Sequence, residues 1–272
     1  MTDLSRLCIH TETVKPLTIE EVARKYRIHG IPAVSVWRHT LNDRDPVKVG
    51  DMLRGNGLNI ASLVRGGFFP STEAGKRKKS IEENKKAIEE ASALGAPLLV
   101  QVCGADPGQV LNESVNQIYD ALVELVPFAE QYQIKLGIEP LHPMYADTRS
   151  AINTLKQAND LVEQLDSGWL GVVIDVYHTW WDPSLKEEIF RCGRMNKIFA
   201  FHICDWKVPT ENMLLDRGLM GEGCIPIRQI WNWIILAGFD GPVEVEIFSE
   251  KYWAMDQDNY IELIKESFVR NV

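Results

Sequence analysis

Residues 171–206 read GVVIDVYHTWWDPSLKEEIFRCGRMNKIFAFHICDW. The stretch opens on an apolar run at 171–176, passes through a helical segment at 184–192 and returns to a second apolar run at 198–203. Both short runs are rich in β-branched or aromatic residues and are nearly continuous, as strands buried on both faces are. Strand, helix, strand is the βαβ unit, the crossover that two parallel strands require.

The same unit repeats outward in both directions. Further β-rich runs lie at 7–11, 33–37, 60–64, 98–103, 134–139 and 243–247, which brings the strands to eight. Helical runs fall between them at 18–27, 47–55, 75–94, 111–132, 148–164, 184–192 and 227–236, and one at 256–269 closes the chain. Thr18 followed by Glu20 and Glu21 is good helix-start chemistry, and Gly95 and Gly238 stand where helices stop. Eight alternations in 272 residues predict an α/β fold, one (β/α)8 TIM barrel. No Pro/Gly/Ser-rich linker interrupts the pattern, so residues 1–272 are expected to form a single domain.

Composition narrows the function classes. A hydrophobic fraction of 45% and a charged fraction of 25% supply an ordinary core without disulfide staples. The five cysteines (Cys8, Cys103, Cys192, Cys204 and Cys224) are scattered, with no CxxC pair and no secretory leader ahead of them. A reducing, cytoplasmic setting is therefore expected. No apolar run approaches the roughly 20 residues that span a bilayer, so no membrane partner is expected. A net charge of -9 argues against nucleic acid. The one basic cluster, Lys76, Arg77, Lys78 and Lys79 with Lys85 and Lys86, is broken by Glu82 and Glu83 and reads as a solvated helix face.

The chemistry sits where the apolar runs end. The fifth run ends KLGIEPLH at Glu139, the sixth GVVIDVYH near Asp175, the seventh FAFHICDW at His202, and the eighth, VEVEIFSE, carries Glu244 and Glu246. In a barrel these ends converge on one mouth, and three carboxylates gathered there repel one another unless a cation sits among them. Three carboxylates and one histidine are a hard, oxygen-rich donor set that suits one divalent ion. Mn²⁺ is the first expectation, and Mg²⁺, Co²⁺ and Zn²⁺ are compatible.

These same motifs, GIEP, DVYH, FHICDW followed by DRG and GEG, and VEVEIF, resemble the xylose isomerase-like barrels that include tagatose 3-epimerase and inosose isomerase. The resemblance is specific over strands five to eight and covers the first half only in its order of elements. It implies that Glu139, Asp175, His202 and Glu246 hold one metal and that Glu139 and Glu246 also serve as catalytic bases. It further implies that His178, three residues after the metal aspartate, and Arg217, after the seventh strand, contact a sugar or keto-sugar. The chemistry implied is proton abstraction next to a carbonyl through a metal-stabilised enediolate.

Other positions keep two readings each. Glu244 shares the parity of Glu246 and is either a second carboxylate behind the ligands or a lone buried acid. Asp205 either neighbours the metal or caps a turn. His142 and His10 either meet substrate or shape their surroundings. The segment RGGFFP at 65–70 either lines the pocket or packs locally. Trp37, Trp180, Trp181 and Trp206 fall at or just after strand ends, where rings suit the apolar face of a sugar or of an aglycone.

Three rival functions remain on the page. A lyase with the same metal and bases, eliminating an aglycone from a 3-oxo-glycoside or C-glycoside, is the main alternative, and it would bring a small partner subunit. The isomerase reading instead expects a homo-oligomer. The apurinic-site endonucleases share the fold, but strands three and four (ASLVRGG, LLVQVCG) offer no histidine for their three zinc ions. A non-catalytic binding barrel would be expected to have lost one of the four ligands, and all are present.

Overall fold

The computed structural model describes residues 4–272. Its strands are β1 (Leu7–His10), β2 (Ala33–Trp37), β3 (Asn59–Gly67), β4 (Leu98–Val102), β5 (Lys135–Ile138), β6 (Leu170–Asp175), β7 (Ile198–Ile203), β8 (Asp205–Trp206), β9 (Arg217–Gly218) and β10 (Val243–Val245). The helices are α1 (Ile19–His29), α2 (Pro46–Gly55), α3 (Ala74–Leu94), α4 (Leu111–Gln131), α5 (Leu155–Leu165), α6 (Val176–Thr179), α7 (Leu185–Arg194), α8 (Ile227–Leu236), α9 (Glu250–Trp253) and α10 (Gln257–Asn271). Eight parallel strands close into a barrel in the order β1-β10-β7-β6-β5-β4-β3-β2, and β8 pairs with β9 as a separate antiparallel ribbon. The predicted fold class is the one observed.

Alternation along the strands builds two cores. Outward residues such as Leu99, Val172, Ile174, Phe201 and Val245 belong to the large cluster shared with the helices. Inward residues Val64, Leu98, Val100, Val173 and Ala200 form a second, smaller cluster that plugs the barrel. Gly137 on β5 is part of that fit, since a Cβ there would lie 2.7 Å from Val173 Cγ2.

Local chemistry sets the element ends. Thr18 and Glu21 exchange the reciprocal bonds of a capping box at the start of α1, and Gly30 closes it in the left-handed region at φ 68°. Gly67 ends β3 at φ 107°, where any Cβ would run into the Val102 carbonyl. β3 therefore runs three residues past the expected end at 64 and carries Arg65 to the mouth.

One helix departs from expectation. The run at 148–164 becomes helical only at Leu155, capped by Thr154 and Gln157. The residues before it are held by other partners. Gly104 N donates to Arg149 O at 2.9 Å and Ala151 N to Gly104 O at 2.9 Å. Asn153 Nδ2 donates to the carbonyls of Leu141 and Ser150 at 3.0 and 2.9 Å. Those bonds satisfy the backbone without a helix and lay Arg149 over the mouth. Among the described residues no helix is long and apolar enough to cross a membrane.

Candidate functional site

Glu139, Asp175, His202 and Glu246 sit at the C-terminal ends of β5, β6, β7 and β10, each at most 4% exposed. Register explains the meeting. Asp175 lies opposite His202, and His202 opposite Glu244, so Glu246 stands one inward step above them. One donor atom from each of the four lies within 4.8 Å of all the others. His202 Nδ1 is 3.1 Å from Glu139 Oε1. Arg217 Nη1 donates to Glu246 Oε2 at 2.9 Å and lies 3.5 Å from Asp175 Oδ2.

A deeper layer supports this one. Glu244 Oε2 accepts from the Ser35 hydroxyl, from Ser62 Oγ at 3.2 Å and from His10 Nε2 at 3.1 Å. It also lies 3.5 Å from His202 Nε2. Glu244 is thus a carboxylate behind the histidine rather than a lone buried acid. His10 bridges the layers, with Nδ1 3.1 Å from Glu246 Oε1 and the Trp37 indole nitrogen 3.3 Å away.

The buried charges push their protons in opposite directions. Burial lifts Asp175 to about 7, with Arg217 opposing and Glu139 and Glu246 adding to the rise. Burial also acts on Glu246, but His10, Arg217 and His202 outweigh it and hold the carboxyl well below the usual range. Burial lowers His202, yet the field and hydrogen bonds of Glu244 and Glu139 raise it well above an ordinary histidine. His178 is driven well below by burial and by Arg217. An acid that keeps its proton longer thus stands beside one held ionised.

The residues fit a divalent ion. Asp175 Oδ2 is buried without a hydrogen-bond partner among the described residues, a state that costs free energy unless something else satisfies it. Three carboxylates and one imidazole, close enough to share one centre, are the donors a hard or borderline cation takes. Asp175 holds its place by accepting from Tyr177 N at 2.7 Å with its other oxygen.

Above the cluster lies a small cavity of about 30 Å³, walled by Trp37, Arg65, Tyr145, Arg149, His178, Leu214, Arg217 and Phe248 among others. His178 faces it with Nε2 3.6 Å from Asp175 Oδ2 and 3.4 Å from Arg217 Nη2. The segment 207–216 forms a strap over this cavity. Tyr177 and Tyr145 both donate their hydroxyls to Met213 O, at 2.7 and 3.1 Å, and Lys207 pairs with Asp216 across the strap's ends.

Several expectations move at this point. His142 is not among the cavity's walls; its Nδ1 accepts from Met144 N at 3.2 Å and its ring packs 5.1 Å from that of Trp206. Asp205 caps a turn, accepting from Ile225 N at 3.0 Å and Gly221 N at 2.9 Å. Of the four tryptophans only Trp37 walls the cavity. Trp206 stacks on Tyr177 at 4.7 Å with Trp180 behind it, and Trp181 packs beside His142. RGGFFP is divided: Arg65 reaches the cavity, while Phe69 is buried in the outer core. Tyr145, Arg149, Leu214 and Phe248 come from loops whose sequence has no period to announce them.

The architecture and this mouth define a (β/α)8 barrel whose acids and histidine meet at the C-terminal face. The chain belongs to the xylose isomerase-like TIM barrel family, whose sequence profile matches residues 23–269. The crystal structure of protein SMc04130 from Sinorhizobium meliloti 1021 is 40% identical, covers 99% of both chains and superposes with a TM-score of 0.95. Inosose isomerase of Halalkalibacterium halodurans is 27% identical over 219 residues, 79% of this chain and 74% of that one. The crystal structure of IOLI protein with a binding zinc atom shares the fold, with a TM-score of 0.86 at 23% identity over 98% of each chain.

Proposed function

We propose that the protein is a divalent-metal-dependent isomerase or epimerase of a sugar or keto-sugar. The observation that carries this reading is the buried set Glu139, Asp175, His202 and Glu246, with donor atoms mutually within 4.8 Å. Kinship with inosose isomerase supports the substrate class. These four residues would hold the ion, Mn²⁺ first among the candidates. When bound, the ion would polarise a carbonyl and so acidify the C–H of the adjacent hydroxyl-bearing carbon.

The chain's own groups do the rest. Glu246 stays ionised under His10 and Arg217 and takes the proton at its carboxylate. Glu139, on another strand of the same ring, delivers a solvent-derived proton to the neighbouring carbon or to the opposite face, and Glu246 passes its own to solvent before the next turnover. Arg217 and His178 orient substrate hydroxyls, and the strap with its two tyrosines keeps water out. Three of the four mouth tryptophans pack away from the cavity, which favours a free sugar over the aglycone of the lyase reading. The five cysteines are unpaired, which supports a reducing, cytoplasmic setting.

The test is a screen of ketoses, inososes and 3-oxo-glucosides with Mn²⁺ in D₂O, followed by NMR. Rearranged sugar carrying solvent deuterium is the expected product, and Glu246→Gln abolishes it. Turnover unaffected by that substitution overturns the mechanism, and a released aglycone replaces it with the lyase.

A further inference from the structure

We propose that Arg65 and Arg149 form an oxyanion subsite, so that the sugar turned over here carries a terminal carboxylate or phosphate. The inference rests on the sugar-isomerase reading of the same pocket and narrows its substrate to an acidic one. Both side chains wall the cavity above the metal cluster. Neither guanidinium has a hydrogen-bond or ion-pair partner among the described residues. Arg217 differs, because its Nη1 is held by the carboxylate and backbone carbonyl of Glu246.

Each arginine is held by rings instead of acids. Arg65 Cζ sits 4.3 Å from the centre of the Phe68 ring and 5.8 Å from that of Trp37, and Arg149 Cζ sits 5.2 Å from that of Tyr145. An aromatic face fixes the plane of a guanidinium while leaving its N–H edge free, and that edge matches carboxylate and phosphate oxygens. Backbone geometry commits both to the mouth. Arg65 rides on the extended end of β3, and the Arg149 segment is bonded to Gly104 at the end of β4.

The pair also needs a counter-charge. Arg65 is largely buried and lowered by that burial and then by Arg149, so the two cations oppose each other. The acids that act on Arg65, Glu139 and Glu246, belong to the metal cluster. Two half-buried like charges side by side are stabilised by an anion that arrives with the substrate. A second cavity of about 360 Å³ also touches Arg65; Arg38, Lys76, Lys79 and Glu83 line it, with Arg38 already paired to Glu90 and Lys76 to Glu73.

The experiment is calorimetric titration of inorganic phosphate and of D-gluconate, with D-sorbitol as the uncharged control. It uses Mn²⁺-loaded and EDTA-treated protein. Either anion is expected to bind at least about tenfold more tightly than sorbitol, and Arg65→Met and Arg149→Met each to weaken it about tenfold or more in both forms. Phosphate bound more tightly than gluconate assigns a phosphate ester, and the reverse a sugar acid. Anion binding that survives both substitutions, or that disappears with the metal and ignores the arginines, overturns the proposal. Arginine-dependent binding without turnover of any sugar would retract the isomerase reading alone. Turnover of neutral sugars without arginine-dependent binding would retract this one alone.

Discussion

Glu244 makes four contacts around a single oxygen: two serines, His10 and, more distantly, His202. With Nε2 of His202 turned toward Glu244, the Nδ1 of that ring is left to face the ligand cluster. Carboxylates behind metal-ligating histidines typically contribute about 10–100-fold to metal affinity. Glu244→Gln is accordingly expected to weaken Mn²⁺ binding by about that factor in a calorimetric titration, with an unchanged far-UV spectrum. Protons should report on the same cluster. Asp175, lifted to about 7, and His202, raised, hold protons that a metal must displace. Metal affinity is thus expected to climb between about pH 6 and about pH 8, with protons released. Titration in buffers of different ionisation enthalpy counts them, and affinity that is flat or falls with pH refutes the assignment. At this scale the sequence was informative wherever a polar residue interrupts an apolar strand, as at Glu139, Asp175, His202 and Glu246. Arg149 gave no such signal, because its position depends on bonds to Gly104, distant in sequence.

Among the elements, β5 shows how little room the ring of acids leaves. Gly137 points inward two residues below Glu139, with Val173 Cγ2 at 2.7 Å from where a Cβ would be. Gly137→Val therefore forces β5 away from β6. It is expected to cost about 1–3 kcal/mol in a denaturant titration, as overpacked cores do, and to weaken metal binding by displacing Glu139. Wild-type stability in that variant would mean that the barrel interior is slack. Strand positions were legible because burial on both faces leaves continuous apolar runs, and β2 and β7 begin and end where expected. The start of α5 was not. The residues before it have helix-compatible composition, yet partners across the mouth supply their hydrogen bonds and override local preference. The β8–β9 ribbon is two residues a side, too short for any period to show.

Over the whole molecule, the alternation of eight strands and helices made the barrel readable, and the mouth's interior chemistry followed from it. The walls did not, because they are loops that meet only once the barrel has closed. The mouth is tight in this state. The cavity of about 30 Å³ under the strap holds little more than a water molecule, and two tyrosine hydroxyls fasten Met213 above it. On the proposed function, a sugar would need the strap to move in each direction, which makes entry, proton transfer and exit successive barriers on one path. If exit is the tallest, as in many lidded enzymes, breaking the C–H bond is hidden from the steady state. Deuterium at the abstracted carbon is then expected to leave kcat nearly unchanged in the wild type. Tyr177→Phe, which frees Met213 from one of its two ties, is expected to bring the isotope effect into view.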